Sequence, residues 1–131
     1  MKIELEDLIN VVSSFFETTP EQMFKKTRIR EVVETRMFYF VLSKKYTGKT
    51  LREIGEIATN YGRQRVLDHA TVLHGIKTIN DLCYSEPKYV DRLNRLMSRV
   101  NLELLNQGLL KELVPREVNL LAMCKSFKKS A

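Results

Sequence analysis

The sequence lacks the features that mark membrane or exported proteins. It has no apolar run close to the roughly 18–20 residues that a membrane-spanning helix requires. Its first residues, MKIELEDL, are acidic and amphipathic, whereas a signal peptide begins with positive charge and continues with an apolar stretch. We therefore expect a cytoplasmic protein. The length of 131 residues suits one domain with an ordinary core.

Metal-binding motifs are also missing. The two cysteines, Cys83 and Cys124, do not form a CxxC or zinc-type spacing, so we expect reduced structural thiols. His69 and His74 are five residues apart, which separates them by about 140° around a helix axis. Two histidines that share a metal are usually four residues apart on one face. The sequence predicts no metal site and no cofactor.

Each candidate catalytic motif in the sequence is incomplete. The stretch TGKT at 47–50 resembles the end of a phosphate-binding loop, but Ser43 stands where that motif needs its first glycine. Asp68 and His69 are neighbours in sequence, so on a helix their side chains point apart. No serine or cysteine nucleophile is placed beside them. We therefore expect no catalytic residues and a protein that is not an enzyme.

Positive charge is concentrated in one part of the chain. The formal net charge is +6. Residues 21–65 contain eleven Lys or Arg against five acids, while residues 1–20 contain one against four. A local excess of this kind suits a polyanion, although it also fits an ordinary solvated surface.

Almost every segment has the period of a helix, and none shows convincing strand alternation. The first helix is predicted from the apolar stripe Leu5, Leu8, Ile9, Val12 and Phe16. A longer helix is predicted from about Arg30 to Tyr46, with Val33, Met37, Phe40 and Val41 marking its apolar face. A basic loop, KKTRIR, precedes it at 25–30. The pattern predicts an all-α fold of about seven helices.

Local signals predict where several of these helices begin and end. Thr19 and Thr50 are expected to cap helices in capping boxes, and Gly48 to end the long helix. Leu51, Ile54 and Ile57 are predicted to face inward from the helix that follows Thr50. Gly55 costs about 1 kcal/mol in a helix interior relative to Ala, so we expect it to permit close approach of another helix.

Residues 84–131 are predicted to form a C-terminal helical extension. Pro87 begins a helix in which Val90, Leu93, Met97, Val100 and Leu104 follow alternating spacings of three and four. Gly108 should end this helix, and a short helix should follow from Pro115 before a basic tail. We expect the extension to pack on the same domain, while a surface for a protein partner or for self-association stays open.

Two helices joined by residues 59–67 are typical of a helix-turn-helix, in which the second helix enters the DNA major groove by its N-terminal end. Asp68 is the predicted cap of that second helix, whose apolar face would hold Val72, Ile76, Ile79 and Cys83. The exposed beginning of the helix offers a carboxylate, a hydroxyl and small apolar groups, all of which can read base edges.

Residues 65–79, RVLDHATVLHGIKTI, resemble the signature GGRDHTTVLHAxxKI of the C-terminal DNA-binding domain of DnaA, the bacterial chromosomal replication initiator family. The resemblance continues backward through TLREIG, VVETRMFYFVLSKKYTGK and MFKKTRIR, so it covers about residues 5–83. It implies a stand-alone protein whose residues 1–83 form a helix-turn-helix domain that binds double-stranded DNA. The implied role is replication initiation or its regulation, with a nucleoid-associated location.

The resemblance also implies which residues contact DNA. Arg28 falls on the position of an arginine that enters the minor groove, and Lys44 falls on a lysine that contacts phosphate. Positions of the second helix meet the major groove. The expected contacts, including basic residues of both loops, are Lys25, Lys26, Arg28, Arg30, Lys44, Arg63, Arg65, Asp68, His69, Ala70, Thr71 and Leu73.

Some positions depart from the family pattern. Leu67 replaces an arginine, Ala70 replaces a threonine, and Thr27 stands where an arginine is common. The connection between the two helices is about six residues longer than in the family. These departures leave the target sequence open. They also favour an alternative function. In this alternative the same scaffold has lost DNA binding and is a protein-interaction module that regulates replication or transcription through its C-terminal helices.

Overall fold

The computed structural model describes residues 3–106, and all regular structure in this range is helical. The predicted all-α fold class is thereby confirmed. The expectations for Gly108, for a helix from Pro115 and for the basic tail lie outside the described residues. A 3-10 helix at Ile57–Tyr61 accompanies six α-helices: α1, Leu5–Phe15; α2, Pro20–Met23; α3, Arg30–Thr47; α4, Leu51–Glu56; α5, His69–Ser85; and α6, Pro87–Asn106.

Helix boundaries follow the local chemistry of the sequence. The Thr19 hydroxyl accepts a hydrogen bond from the Gln22 backbone N–H at 3.2 Å, which begins α2. Thr50 and Glu53 form a reciprocal capping box with bonds of 3.2 and 3.1 Å. Gly48 has a φ of +67°, and so it ends α3 in the left-handed conformation that side chains disfavour. These predicted boundaries are confirmed.

The core surrounds α3. Phe38, Tyr39, Phe40 and Leu42 are all buried, because α3 contacts α1, α2, α4 and α5. The sequence instead predicted a single apolar face, of which only Phe40 is fully buried. A helix enclosed on several sides has no strong one-sided pattern, so the periodicity identified the helix but not its central position.

The two longest helices of the family-like region cross at a glycine. A Cβ added to Gly75 of α5 would lie 2.7 Å from the Phe40 ring and 3.2 Å from the Met37 side chain. The absence of a side chain therefore lets α5 and α3 pack closely. Val72 and Ile79, one turn to either side on α5, are buried at the same contact surface, as the spacing predicted.

The beginning of α6 returns to the first half of α3. The Tyr89 hydroxyl donates to Glu34 at 2.7 Å, and its ring stacks on Phe38 at 6.4 Å between centroids. Leu96 and Val100 are buried farther along α6, which packs on α5 and α1. Val90, which the spacing placed inside, is exposed because Tyr89 takes the inward position at this end.

Candidate nucleic-acid interface

The N-terminal end of α5 is exposed and held by its own cap. The Asp68 carboxylate accepts a hydrogen bond from the Thr71 backbone N–H at 2.8 Å, and this bond lowers the pKa of Asp68 below its usual range. His69, Ala70 and Thr71 are exposed around that tip. Leu73 is also partly open to solvent. The side chains predicted to read bases therefore share one accessible helix end.

The connection between α4 and α5 is held closed by a backbone bond. It contains the 3-10 helix and then turns at Gly62, where φ is +101°. The Leu67 N–H donates to the Gly55 carbonyl at 3.1 Å, and a Cβ on Gly55 would collide with the Leu67 carbonyl oxygen. The expectation that Gly55 admits another helix was therefore wrong, because the close neighbour is a loop backbone.

In the structure the basic loop spans residues 24–29, because Arg30 already belongs to α3. The loop lies against the connection between α4 and α5. Arg63 donates to the Phe24 carbonyl at 3.2 Å, and the rings of Phe24 and Tyr61 stack at 5.6 Å. Arg36 donates from the other side to the Lys25 carbonyl at 2.9 Å. These contacts bring together two segments that lie almost forty residues apart in the sequence.

Positive charge gathers where the two segments meet. Lys25, Lys26, Arg28 and Arg65 are exposed, and Arg63 is half-buried. The pKa of the buried Arg36 is lowered, chiefly by burial and further by the nearby charge of Arg63. The guanidinium groups of Arg36 and Arg63 bond the carbonyls of the neighbouring residues Lys25 and Phe24. This local excess of positive charge favours an anion.

The two remaining basic positions have different surroundings. Lys44 is exposed on the last turns of α3. Arg30 forms an ion pair with Glu34 at 2.9 Å and donates to the Tyr89 hydroxyl at 3.2 Å. Its hydrogen bond to Glu34, together with the one to Tyr89, raises the pKa of Arg30. Arg30 therefore already has two protein partners, Glu34 and Tyr89.

Two contacts relate α5 to α3. The middle of α5 crosses α3 at Met37 and Phe40. The C-terminal end of α5 leads into Tyr89, which contacts Glu34 in the first half of α3.

The structure also identifies residues that the sequence analysis missed. Arg36 was not singled out, because its pairing with carbonyls of another segment leaves no local pattern. Leu67 is buried, so the position that departs from the family's arginine serves the core here. Ile29 and Val66 are exposed apolar residues beside Arg28 and Arg65. In both loops an arginine is followed directly by an apolar residue, and this pattern is the signal in the sequence that could have identified Ile29 and Val66.

Neither a metal-binding cluster nor a membrane-spanning helix is found in the part of the chain that the structure describes. Residues 3–106 contain no group of three or more His, Cys, Asp or Glu arranged to hold a metal ion. Within the same range, no helix combines the length and apolar character needed to cross a membrane.

A short helix, a connection and a second helix with an exposed, capped tip define a DNA-binding protein of the helix-turn-helix class. A sequence model of a known family, described as the bacterial dnaA protein helix-turn-helix, matches residues 5–79. The chain belongs to this family. Membership confirms the predicted resemblance and the expectation of a DNA-binding domain rather than an enzyme.

Individual relatives agree with this assignment. The chain is 31% identical to the chromosomal replication initiator protein DnaA of Wolbachia pipientis over 94 residues, and 34% identical to that of Flavobacterium psychrophilum over 100 residues. These matches cover 72% and 74% of the chain. The chain spans only about a fifth of the length of these relatives, 19% and 20% respectively.

The similarity to relatives extends beyond the family-model range. A match that covers 72% of a 131-residue chain includes 94 residues, so it cannot end before residue 94. It therefore enters α6, past the boundary at residue 83 that the sequence analysis drew. A division of the chain into 1–83 and 84–131 remains a proposal.

Proposed function

We propose that this chain binds double-stranded DNA with a preference for particular sequences, in the initiation of chromosomal replication or its regulation. The observation that carries the proposal is the junction of the basic loop with the helix-turn-helix connection, through Arg63 and the Phe24 carbonyl. The relatives' name, chromosomal replication initiator protein, supports the process. Such a role would place the protein on the nucleoid in the cytoplasm.

The tip of α5 would read base edges in the major groove. Asp68 uses one hydrogen bond to cap the helix, and a carboxylate has further acceptor sites for a cytosine amino group. Thr71 can bond a base or a phosphate, while Ala70 and Leu73 can touch a thymine methyl group. His69 is exposed at the same tip and adds ring N–H and acceptor groups.

The loops would hold the sugar–phosphate backbone. Arg28 is exposed in the middle of the basic loop and would enter the minor groove beside the major-groove contact. Lys25, Lys26, Lys44 and Arg65 are exposed and would neutralise phosphates. Arg63 donates one bond to Phe24, and its guanidinium retains other N–H groups for an anion.

Arg30 would make a weaker contribution than the sequence analysis implied. Its guanidinium is shared between Glu34 and the Tyr89 hydroxyl, at 2.9 and 3.2 Å. A phosphate would have to compete with these partners. We propose that Arg30 mainly fixes the end of the basic loop to α6.

A second candidate function is a protein-interaction module. Leu102 and Leu105 are exposed three residues apart on α6, which suits an apolar contact with a partner or a second copy. Under this alternative the scaffold would regulate replication or transcription without touching DNA. The binding experiment below separates the two candidates.

Fluorescence anisotropy with a duplex selected from a random pool tests the proposal. Affinity should fall steeply with salt, because each neutralised phosphate releases a counterion. Arg28→Ala should weaken binding and reduce the salt slope, whereas Asp68→Ala should mainly relax the preference at one base pair. Arg52→Ala is the matched control, since Arg52 lies in a groove lined by Glu4, Glu6 and Glu56. Wild-type binding by both test variants would reject this interface.

A further inference from the structure

Three basic side chains follow one face of α6. Lys88, Arg92 and Arg95 are spaced by four and three residues, so they lie along a single side of the helix. We call these three residues the α6 basic stripe. All of them lie beyond residue 79, where the family model ends. Arg99 continues the spacing and lies over the Phe15 ring of α1 at 5.5 Å, whereas Lys88 and Arg92 lie over the Tyr89 ring of their own helix at 5.5 and 5.4 Å.

The stripe adjoins the end of the basic loop. Glu34 of α3 lies between them, with Arg30 at 2.9 Å on one side and Arg92 at 3.8 Å on the other. The buried Tyr89 completes the contact, since its hydroxyl bonds both Glu34 and Arg30. One residue, Ile29, separates Arg30 from Arg28, the proposed minor-groove arginine. The positive surface of the loop therefore continues onto α6 across a fixed contact.

Four cations at this junction face three carboxylates, which leaves a net charge of +1: Arg30, Lys88, Arg92 and Arg95 against Glu34, Glu86 and Asp91. The Glu34 side chain is 14% exposed and is shared by two arginines and a tyrosine, so little negative charge reaches solvent. Lys88 is paired with Glu86 at 3.7 Å, and Arg95 with Asp91 at 3.1 Å. The Lys88 and Arg95 side chains are 58% and 69% exposed, respectively. Exposed ion pairs of this kind are weak, so a phosphate can replace the carboxylate.

We propose that the α6 basic stripe contacts the phosphates of the DNA segment beside the one held by the basic loop. This proposal rests on the proposed function and extends its interface. Lys88 and Arg95 are separated by about 10 Å along the helix, which corresponds to roughly three phosphates of one strand. The stripe would lengthen the footprint without reading sequence, because phosphates carry no base information.

The test is the salt dependence of binding to the selected duplex. Lys88→Gln with Arg95→Gln removes two exposed charges and leaves the Glu34 contacts intact. The magnitude of the slope of log affinity against log salt should decrease by about 1.8, because each lost phosphate contact lowers it by about 0.9. Arg52→Gln is the control, because Arg52 has a similar exposed ion pair with Glu56 on another helix. Its slope should equal that of the wild type.

A second measurement uses the length of the duplex. Extending the selected duplex on the basic-loop side should raise the affinity of the wild type more than that of the double variant. Arg95→Gln alone provides a milder change, with a slope decrease of about 0.9. Thermal unfolding midpoints of all variants should match the wild type, which excludes loss of folding as the cause.

The outcomes separate this proposal from the proposed function. If Arg28→Ala weakens binding while the double variant keeps the wild-type slope, DNA binding stands and the stripe proposal is overturned. The same result would follow if the stripe instead bound an acidic protein. If the wild type binds no duplex at low salt, the proposed function fails, and the stripe proposal fails with it.

Discussion

Asp68 serves two demands at the tip of α5. Its carboxylate caps the helix through the Thr71 N–H, and it is also the proposed base-reading group. Because the ionised carboxylate accepts this bond more strongly than the neutral acid, folding lowers the pKa of Asp68. The cap is therefore a pH-dependent source of stability.

We expect Asp68→Asn to reveal this dependence. Since the pKa of Asp68 in the folded protein lies below the ordinary value of 3.8, its charge-dependent stabilisation is complete above that value. It is lost as pH falls through the lower folded value. Thermal unfolding of both proteins between pH 7 and pH 2.5 should show a stability difference that narrows toward acid. A difference that stays constant with pH would contradict this account of the cap.

Arg36 shows why one important residue escaped the sequence analysis. A buried arginine is costly unless its N–H groups are bonded, and Arg36 finds the carbonyls of Met23 and Lys25. Because these acceptors are backbone carbonyls, no pattern of side chains in the sequence indicates that Arg36 makes these contacts. The sequence identified the basic loop but not the residue that holds its beginning in place.

Arg36→Ala should therefore destabilise the protein by about 3 kcal/mol, since it leaves buried carbonyls without a donor and removes packing. Urea unfolding measures this change. Arg65→Ala is the control, because Arg65 is exposed and should have little effect on stability. Equal stability of the two variants would show that the Arg36 contacts do not support the fold.

At the scale of helices, local sequence signals predicted where helices begin and end, but they did not predict which segments contact one another. The caps at Thr19, Thr50 and Asp68 and the end at Gly48 were predicted because each depends on residues within one turn. The reason for Gly55 was predicted wrongly, because the neighbour that excludes a side chain lies twelve residues away in Leu67. A long-range approach of backbones leaves no periodic pattern.

The two helical glycines should respond differently to alanine. At Gly75 the new Cβ meets the Phe40 ring, which can shift, and the gain in helix propensity of about 1 kcal/mol offsets part of the strain. At Gly55 it meets the backbone carbonyl of Leu67, and the N–H of Leu67 is bonded to the Gly55 carbonyl, so this backbone cannot move away easily. We expect Gly55→Ala to lower the free energy of unfolding more than Gly75→Ala. Chemical denaturation of both variants checks the order, and the reverse order would refute the explanation.

For the whole molecule, the sequence predicted the class of fold and the region of positive charge. It placed eleven of the 22 Lys and Arg residues in 21–65, and the structure joins two loops of that region through Arg63 and Phe24. The sequence could not predict the return of α6 to the first half of α3. That contact joins Tyr89 to Glu34 and Arg30, which both precede it by more than fifty residues.

Tyr89→Phe tests how strongly this contact holds the molecule together. The ring would still stack on Phe38, while the hydrogen bonds to Glu34 and Arg30 would be lost. We expect a loss of about 2 kcal/mol in unfolding free energy, within the usual range for hydrogen bonds to charged groups. Tyr84→Phe is the matched control, because Tyr84 is almost fully exposed. An effect no larger than that of the control would show that the hydroxyl network contributes nothing.

The bond between Leu67 and Gly55 has a consequence for variation among related chains. It ties together the two ends of the segment that separates α4 from α5. Within this segment Ile57 and Ala58 are buried, and Tyr61 and Arg63 contact Phe24. Changes of length should therefore be tolerated only among the exposed residues 64–66, where the bond between Leu67 and Gly55 would preserve the angle between the two helices.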